Sequence, residues 1–411
     1  MSAAPCRFCG APLRVSFADL GMSPLSNSFL KEGELDRPEA FYPLHARACE
    51  RCLLVQLDHS QPAEQIFTED YAYFSSYSDL WLKHASDYVD YMCGRFGYGA
   101  KHYAVEIASN DGYLLQYFAR RGVAVLGVEP AANCARAAEA KGVPSLVKFF
   151  NAQTARELAA RRKADLLLGN NVLAHVPDLN AFVQGMPLLL AADGVITMEF
   201  PHLLNLIEQN QFDTIYHEHF SYFSFLAAER VFAQHGITLF DVQELPTHGG
   251  SLRIFGRHQA DASKPVEASV AALKDKERRA GLDRIDTYRD FAARVARTKR
   301  RLLEFLVKAK DEGKRIVGYG APAKGNTLLN YCGVRSDFLD FTVDRSPHKQ
   351  GRYLPGTHIP IRHPDAIREA RPDYLLILPW NLRDEIIGQT AYIRDWGGKF
   401  VVPIPEVTVL A

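Results

Sequence analysis

The stretch VEIASNDGYLL, residues 105–115, joins a short apolar run to a helical pattern through a loop of small and polar residues. The apolar run begins near Tyr103 and has the length and character of a buried strand. Its loop extends from Glu106 to Gly112, and a helical pattern follows. This strand–loop–helix order predicts the first unit of a doubly wound parallel sheet, which binds ligands where its strands end.

The same alternation continues along the chain. The segments VAVLGVEPAANCARAAEAKG, ADLLLGNNVLAHVPDLNAFVQGMPLLL and GVITMEFP predict strand–helix, strand–helix and strand. A second α/β unit is predicted from about residue 300 to about residue 405, where RIVGYGAPAKGNTLLNYCG is again strand, glycine loop and helix. Between the two units, RHQADASKPVEASVAALKDKE is charged and poorly apolar, which indicates a boundary. The sequence therefore predicts an α/β protein with two such units behind a distinct N-terminal segment.

Four of the seven cysteines form two Cys-x2-Cys pairs in the N-terminal segment. The pairs are Cys6 with Cys9 and Cys49 with Cys52, and 39 residues lie between them. Each pair can direct two thiolates at one metal, so two pairs complete a tetrahedral zinc site. Two separate redox pairs are the alternative. We expect a structural zinc ion, because four protein ligands leave no open coordination position for a substrate.

Composition narrows the function classes. Lys plus Arg equals Asp plus Glu at 48 each, so no excess of positive charge favours nucleic acid as the main partner. No apolar run approaches the ~18–20 residues of a membrane helix. The start MSAAPCRFCG lacks the charged and apolar regions of a secretory signal. We therefore expect a cytoplasmic protein without a membrane or nucleic-acid partner. We also expect a monomer, although the sequence does not fix the oligomeric state.

Two acidic strand ends indicate an adenosine ligand. In Rossmann-type methyltransferases, an acidic residue followed by a small-residue loop lets the backbone approach the methionine part of S-adenosylmethionine. Glu106 begins that loop here, and Glu129 ends the next strand, where it can accept both ribose hydroxyls. A Gly-x-Gly-x-x-Gly turn is absent at this position, which disfavours NAD. A solvated strand-end acid is the alternative for Glu129. The candidate cofactor-binding residues are Glu106, Ala108, Asn110, Gly112, Glu129, Asn170 and Asn171.

Six motifs occur in a fixed order: the paired CxxC start, EIASNDGYLL, NNVLAHVPDL, YHEHFSYFS, HGGSLR and GYGAPAKGNTLLN. In this combination the chain resembles the sugar C-methyltransferase family of deoxysugar biosynthesis over essentially its whole length. The resemblance implies a zinc-binding domain, a central Rossmann-type S-adenosylmethionine domain and a C-terminal Rossmann-like domain. We expect these at residues 1–75, 76–255 and 256–411. It also implies methyl transfer to C-3 of a nucleotide-linked 4-keto hexose, usually carried on thymidine diphosphate and held against the C-terminal domain.

The run FDTIYHEHFSYFS, residues 212–224, offers the groups that such a reaction needs. A carbon beside a ketone becomes nucleophilic when a base removes its proton and donors stabilise the enolate oxygen. His219 is the candidate base, because an unperturbed imidazole titrates near ~6.5. Glu218 and Tyr216 could assist it, and the resemblance places these three residues at the substrate. Tyr216 and His175 are candidate donors to the oxyanion or to the sugar.

The C-terminal loop GYGAPAKGNTLLN has glycines for a tight turn and opens a helix whose amides could meet a diphosphate. Two tyrosines of the aromatic loop at residues 68–78 could close over the sugar. Arg253 and Lys349 could bind phosphate, with a solvated role as the alternative, and Asp344 ends a strand where it could contact ribose or base. The candidate substrate-binding residues are Tyr71, Tyr77, Arg253, Tyr319, Lys324, Asn326, Asp344 and Lys349.

Other function classes compete with methyl transfer. A zinc-containing NAD(P)-dependent oxidoreductase would bind its dinucleotide at the C-terminal glycine turn, but it needs an open zinc site that four cysteines disfavour. A non-catalytic zinc-ribbon interaction protein would leave two ligand-type α/β units without a use. A metalloprotease is excluded, because the HExxH motif needs histidines four residues apart on a helix, whereas His217 and His219 are two residues apart. A family member that methylates another position, or an oxygen or nitrogen atom, remains open.

Overall fold

The computed structural model describes residues 3–58 and 74–411. Seventeen strands in these residues form three sheets. The strands are β1 Val15–Ser23, β2 Tyr42–Ala48, β3 Val55–Leu57, β4 Tyr103–Ile107, β5 Ala124–Val128, β6 Ser145–Leu146, β7 Ala164–Asn170, β8 Leu190–Pro201, β9 Ser221–Tyr222, β10 Ile237–Leu245, β11 Ser251–His258, β12 Ile316–Tyr319, β13 Thr342–Val343, β14 Ile361–Arg362, β15 Tyr374–Ile377, β16 Lys399–Val402 and β17 Thr408–Leu410.

Thirteen α-helices connect these strands in the described residues. They are α1 Asp79–Phe96, α2 Leu115–Arg120, α3 Ala132–Ala140, α4 Ala152–Ala159, α5 Leu179–Leu189, α6 Leu203–Glu208, α7 Phe225–Gln234, α8 Ala268–Arg279, α9 Ile285–Arg289, α10 Phe291–Asp311, α11 Ala323–Cys332, α12 Ala366–Ala370 and α13 Arg383–Gln389. Short 3-10 helices lie at Glu32–Glu34, Ser75–Tyr77, Leu173–His175, Phe212–Thr214, Thr247–Gly249, Trp380–Leu382 and Ala391–Trp396.

The central sheet has seven strands in the order β10-β11-β8-β7-β4-β5-β6. Its strands from β8 to β6 are parallel, and β11 runs antiparallel between β8 and β10. The strand–helix alternation predicted from residue 103 onward is therefore confirmed. Strand β11 covers residues 251–258 and pairs with β8 from Ser251 to Gly256. It therefore crosses the expected division between residues 255 and 256. The domain boundaries themselves stay a prediction.

The C-terminal sheet has six strands in the order β14-β13-β12-β15-β16-β17. All of its pairs are parallel except the last one, in which β17 runs against β16. Strand β12 lies in the middle and leads through the predicted glycine loop into α11. The second α/β unit predicted from the sequence is thus confirmed.

The small N-terminal sheet, β1-β2-β3-β9, is antiparallel throughout. Its first strand packs on α10, where the rings of Phe17 and Phe291 stack with centroids 4.5 Å apart. Its fourth strand, β9, comes from the histidine-containing run at residues 212–224. The N-terminal segment therefore shares an apolar core with the C-terminal unit and an edge with the central run.

Helix α1 is amphipathic, and its buried face consists of Ala85, Tyr88, Val89 and Met92. Ser78 caps its start, because the Ser78 hydroxyl accepts a hydrogen bond from the Trp81 amide at 3.3 Å. Asp79 lies in the first turn, where its charge favours the helix N-terminus. Within the described residues, no helix has both the length and the apolar character needed to cross a membrane.

Candidate active site

The four cysteines of the N-terminal segment converge. Two tight turns, each closed by a backbone bond to a cysteine carbonyl, place the sulfurs of Cys6, Cys9, Cys49 and Cys52 within 4.8 Å of one another. The Cys6–Cys52 and Cys9–Cys49 pairs lie at 3.6 and 3.5 Å. Four thiolates at about 2.3 Å from a tetrahedral zinc ion would stand about 3.8 Å apart, so the donor set fits zinc. Gln56 donates to the Cys6 sulfur at 3.1 Å and supports that geometry.

The loop after β4 adopts the backbone that glycines usually provide. Ala108, Asn110 and Gly112 have φ angles of 56°, 49° and 73°, in the left-handed region that disfavours side chains. A Cβ atom on Gly112 would lie 3.1 Å from the Val143 side chain, a tight contact that disfavours a side chain at this position as well. The predicted motif thus keeps the loop shape although two of its glycines are replaced.

Two buried acids border this loop. Glu106 is fully buried, and burial raises its pKa well above the usual range. Glu129 accepts the amides of Asn110 and Ala131 at 2.8 and 2.9 Å, one on each carboxyl oxygen. Each oxygen keeps a second lone pair, so the carboxylate can also accept ribose hydroxyls. The loop and Glu129 together fit the methionine and ribose parts of S-adenosylmethionine.

Strand β7 ends beside the same loop. Asn170 donates to the Tyr113 hydroxyl at 3.3 Å, and Tyr113 follows Gly112 directly. Asn171 has a left-handed backbone with a φ angle of 54°, which turns the chain sharply into the 3-10 helix Leu173–His175. The predicted asparagines and His175 therefore lie at one sheet edge with the Glu106–Gly112 loop, as the carboxyl ends of neighbouring parallel strands require.

The run at residues 212–224 docks on that 3-10 helix. The Phe220 amide donates to the Ala174 carbonyl at 2.7 Å, and the following strand β9 pairs with β3 of the N-terminal sheet. Phe212 packs its ring against Tyr331 of α11, with centroids 5.5 Å apart. Residues 212–224 therefore contact the central unit, the N-terminal sheet and the C-terminal unit. The histidines of this run lie where these parts meet.

His219 has the hydrogen-bonding arrangement of a neutral base. Its Nδ1 lies 2.8 Å from the Thr214 carbonyl, which can only accept, so Nδ1 carries the proton and Nε2 keeps its lone pair. Burial, followed by the neighbouring His175, holds the pKa of His219 well below its usual range. The rings of His175 and Tyr216 lie 4.8 and 4.0 Å from the His219 ring. The structure thus brings three of the four predicted catalytic residues together, with His175 and Tyr216 beside the His219 imidazole.

Glu218, the fourth, is held by a residue that the sequence did not indicate. Asn27, in the loop after β1, donates through Nδ2 to Glu218 Oε1 at 2.6 Å. Burial raises the pKa of Glu218 above its usual value. His217 faces away from this group and lies with Nε2 3.2 Å from the Pro43 carbonyl of the N-terminal sheet. His217 therefore ties the run to that sheet, and Asn27 brings the N-terminal segment to the site.

Arg253 is a correction to the predicted phosphate site. It is 4% exposed, and its guanidinium donates to Glu199 Oε2 at 2.7 Å. Glu199, which is fully buried, also meets His84 Nε2 at 2.9 Å and the Thr247 hydroxyl at 3.0 Å. Because a buried carboxylate already occupies Arg253, the arginine stabilises Glu199 instead of binding a phosphate. Glu199, His84, Thr247 and Arg253 thus form one connected network of polar side chains.

The C-terminal loop turns at Gly320, where φ is 89° and an added Cβ would lie 2.6 Å from Pro379. Asp344 accepts the Ala321 amide at 2.8 Å, so the predicted strand-end acid holds this loop. Lys349 donates to the Ala321 carbonyl at 2.9 Å and lies 3.6 Å from Asp344. The two predicted residues therefore meet at the start of α11, where a diphosphate was expected.

Three further predicted residues lie on or beside α11. Lys324 donates to Asn381 at 2.9 Å, and its ammonium stands 4.4 Å from the Trp380 ring centroid. Asn326 is 1% exposed inside the helix. Tyr319 is 6% exposed, and its hydroxyl donates to Gln389 at 3.0 Å. The substrate-binding roles of these three residues stay predictions.

The aromatic loop is described only in part, and Tyr71 lies outside the described residues. Tyr77 is 72% exposed and stacks on His348 of the C-terminal unit, with centroids 6.5 Å apart. Two residues earlier, the Ser75 amide donates to the Asn110 side chain at 2.9 Å. The segment from Ser75 to Tyr77 thus reaches from the Glu106–Gly112 loop to the C-terminal unit, as expected of a segment that covers the site.

Three family models match the chain. One described as "Putative zinc binding domain" matches residues 6–67, one described as "Methyltransferase domain" matches 83–242, and one described as "C-methyltransferase C-terminal domain" matches 246–405. Over 407 residues the chain is 37% identical to C-methyltransferase NovU of Streptomyces niveus, an alignment that covers 99% of this chain and 96% of that protein. The chain belongs to the C-methyltransferase family.

Two solved structures resemble this C-methyltransferase over less than half of its length. The PH0226 protein from Pyrococcus horikoshii OT3 is 15% identical, with a TM-score of 0.38, and the match covers 47% of this chain and 99% of that one. Magnesium protoporphyrin IX methyltransferase from Synechocystis PCC 6803 with bound S-adenosylmethionine is 14% identical, with a TM-score of 0.34, and covers 47% and 88%. The fold assignment depends on the strand order of the chain itself.

Family membership establishes the C-methyltransferase as an enzyme that uses S-adenosylmethionine and carries a four-cysteine zinc-binding domain. The expectation of a carbon methyltransferase is thereby confirmed. Asn27, His84, Glu199 and Trp380 were not singled out from the sequence. Each is a single residue outside the motifs, and only contacts between distant segments of this C-methyltransferase show its place.

Proposed function

We propose that this enzyme transfers the methyl group of S-adenosylmethionine to C-3 of a 4-keto deoxyhexose carried on thymidine diphosphate, in the cytoplasm. The observation that carries the proposal is the bond between His219 Nδ1 and the Thr214 carbonyl, 2.8 Å long. That bond leaves Nε2 as a neutral base beside the sheet edge formed by the Glu106–Gly112 loop and His175. Carbon methylation needs such a base, because carbon without a negative charge is a poor nucleophile.

His219 suits proton removal from carbon near neutral pH. Its low pKa keeps the imidazole unprotonated, so no proton has to leave before the reaction begins. The polar groups around it can stabilise a developing oxyanion without reorganising. We assign this role to Tyr216 and His175, whose rings flank the base at 4.0 and 4.8 Å. Asn27 and Glu218 lie next to them and, in this proposal, fix the sugar.

The proposed reaction balances with one base. Nε2 of His219 takes the proton from C-3, and the electron pair of that carbon–hydrogen bond moves toward the C-4 oxygen. S-adenosylmethionine supplies an electrophilic methyl group when bound. As the carbon–carbon bond forms, the bond from sulfur to the methyl carbon breaks and the ketone returns. S-adenosylhomocysteine leaves, and His219 passes its proton to water.

The C-terminal unit supports a nucleotide-linked substrate. Its Gly320 turn opens α11, and helix N-termini favour phosphate groups. Lys324 and Lys349 place two cations near this turn. In the proposal the diphosphate lies against the turn, and the sugar extends toward His219. Tyr77 covers the gap between the two units.

Incubation with S-adenosylmethionine and thymidine diphosphate-4-keto-6-deoxyglucose, followed by NMR of the product, tests the proposal. We expect a new carbon-bound methyl group at C-3. A methyl group at C-5, which also adjoins the ketone, would overturn the position while keeping the chemistry. An O-methyl product would overturn the carbon mechanism.

A thermal-shift panel tests the ligand classes separately. We expect stabilisation by S-adenosylhomocysteine and by thymidine diphosphate, because ligands that bind the native state raise its apparent stability. We expect none from NAD. Stabilisation by NAD without stabilisation by S-adenosylhomocysteine would favour the oxidoreductase alternative instead.

A further inference from the structure

The turn that opens the run at residues 212–224 is held by contacts from the C-terminal unit. Asn210 donates to the Thr298 hydroxyl of α10 at 2.6 Å. Phe212 is fully buried against Tyr331 of α11. The segment 210–214 thus belongs to the chain of the central unit but packs on two helices of the C-terminal one. Its conformation depends on how the two units dock.

One bond in this contact joins a buried acid to an indole. Asp213 is fully buried, and its Oδ2 accepts the Trp380 Nε1–H bond at 2.8 Å. Burial raises the pKa of Asp213 to about 7. A buried carboxyl group costs stability unless donors satisfy it, so an apolar residue would serve packing alone at lower cost. The choice of Asp213 and Trp380 therefore indicates a directional role.

The residue after Asp213 provides that direction. Thr214 closes the same 3-10 helix, Phe212–Thr214, and its carbonyl accepts the Nδ1–H bond of His219 at 2.8 Å. Trp380 thus fixes one residue of the turn, and the next residue fixes the imidazole. A rotation of this turn would move the Thr214 carbonyl and release the His219 ring.

We propose that Trp380 is a positioning residue for His219, acting through Asp213 and the Thr214 carbonyl. The inference rests on the proposed function, in which His219 is the base. It makes the alignment of the base depend on the docked C-terminal unit, the same unit that the proposal assigns to the nucleotide of the substrate. Trp380 does not need to touch the sugar in this scheme.

Trp380 is itself held in place from two sides. An added Cβ on Gly249 would lie 2.7 Å from the indole ring, so the turn Thr247–Gly249 of the central unit packs directly on it. Lys324 covers the ring at a distance of 4.4 Å from its centroid. These contacts restrict the indole, so its N–H bond points at Asp213 without the entropy cost of ordering a free side chain.

Trp380→Phe is the central variant, because it keeps an aromatic ring and removes the N–H donor together with part of the indole volume. Trp396→Phe is the matched control, since Trp396 Nε1 donates to the Pro372 carbonyl at 3.0 Å, outside the site. Asp213→Asn keeps a carbonyl oxygen that can accept from Trp380, whereas Asp213→Leu removes the acceptor. His219→Gln is measured alongside them.

Three readouts separate positioning from packing. The first is kcat against KM with thymidine diphosphate-4-keto-6-deoxyglucose, the second is the dissociation constant of S-adenosylhomocysteine, and the third is deuterium uptake from solvent beside the ketone without a methyl donor. A small misplacement of a reacting group can cost about a hundredfold in rate. For Trp380→Phe and Asp213→Leu we expect kcat and deuterium uptake to fall roughly ten- to a hundredfold. Asp213→Asn should retain most of both, and the S-adenosylhomocysteine constant should stay unchanged in all variants.

The results distinguish a positioning role of Trp380 from a packing role. Loss of kcat in Trp380→Phe with unchanged cofactor affinity, and none in Trp396→Phe, supports positioning. Wild-type kcat and deuterium uptake in a folded Trp380→Phe variant overturn the inference, as does a loss that Asp213→Asn and Asp213→Leu share equally. If His219→Gln keeps full turnover, the base assignment in the proposed function fails instead. A change in melting temperature alone in Trp380→Phe assigns Trp380 to packing.

Discussion

The two α/β units hold their glycine-type loops in the same way. In the central unit, Glu129 follows β5 and accepts the Asn110 amide of the loop at 2.8 Å and the Ala131 amide at 2.9 Å. In the C-terminal unit, Asp344 follows β13 and accepts the Ala321 amide of its loop and the Ser346 amide, both at 2.8 Å. One acid in each unit therefore ties the loop of the first strand to the end of the second.

The difference lies in what remains free on each acid. Glu129 is 4% exposed and accepts one backbone amide on each carboxyl oxygen, so each oxygen keeps a second lone pair. Asp344 has Lys349 at 3.6 Å, and the same ammonium donates to the Ala321 carbonyl. A cation beside the second acid favours a phosphate neighbour over a ribose hydroxyl. This difference supports the proposal that the first loop takes adenosine and the second an anion.

The largest loss of kcat is expected for a substitution of His219, which lies where the two units meet. We predict that His219→Gln lowers kcat by about 10²- to 10⁴-fold, the usual contribution of a general base. S-adenosylhomocysteine binding should not change, because His219 bonds to the Thr214 carbonyl and lies outside the Glu106–Gly112 loop. Steady-state kinetics and calorimetric titration measure the two quantities.

His235→Gln is the control for this variant, because His235 bonds to Asn180 at 3.0 Å outside the site. Normal turnover in His219→Gln would remove the base from the run at residues 212–224 and reopen the search for it.

The two strand-end acids provide a matched pair. We predict that Glu129→Gln weakens S-adenosylhomocysteine binding about ten- to a hundredfold, since hydrogen bonds to charged groups contribute about 1.5–3 kcal/mol. Asp344→Asn should leave this affinity unchanged and weaken thymidine diphosphate binding instead. Calorimetric titration of both ligands with both variants measures the pattern. Equal losses of S-adenosylhomocysteine affinity in the two variants would show that the loops are not specialised.

The pH dependence of turnover tests the environment of the base. Since burial and His175 hold the pKa of His219 well below 6.5, the imidazole stays neutral as the pH falls from 7 to 6.5. We therefore predict that the acid limb of kcat/KM lies below pH 6.5 and that activity falls only as the pH drops through that lower pKa. Kinetics between about pH 5 and 8, with preincubated enzyme as the stability control, locate the limb. A midpoint above 6.5 would contradict a buried neutral base.

The smallest effect concerns the shape of the central loop. Ala108 has a φ angle of 56°, and a left-handed residue other than glycine carries roughly 1 kcal/mol of strain. Ala108→Gly should therefore raise the free energy of unfolding by up to about 1 kcal/mol, offset in part by the greater freedom of glycine in the unfolded chain. Urea denaturation measures this change.

Gly112→Ala is the opposite control, because its φ of 73° and the contact with Val143 at 3.1 Å make an added methyl group unfavourable. A loss of stability in Ala108→Gly would show that the left-handed loop is not strained in the first place.

Prediction from the sequence was strongest where a local pattern has one physical meaning. The paired cysteines indicated a four-thiolate site, and their sulfurs lie within 4.8 Å of one another. It was weakest for long polar side chains. Arg253 was predicted as a possible phosphate partner or a solvated residue, yet it is buried against Glu199, which lies on a neighbouring strand. Whether a cationic side chain faces solvent or a carboxylate depends on strand register, and the local sequence does not specify that register.

The sequence alone determined the alternation of strands and helices, the two acidic strand ends, the zinc ligands and the run that carries His219, because each depends on neighbouring residues. Tertiary structure decided which groups meet that run. Asn27 reaches Glu218 from the N-terminal segment, and Trp380 reaches Asp213 from the C-terminal unit, across 191 and 167 residues of chain. Such contacts form only when the three sheets pack together, so no spacing within the sequence could reveal them.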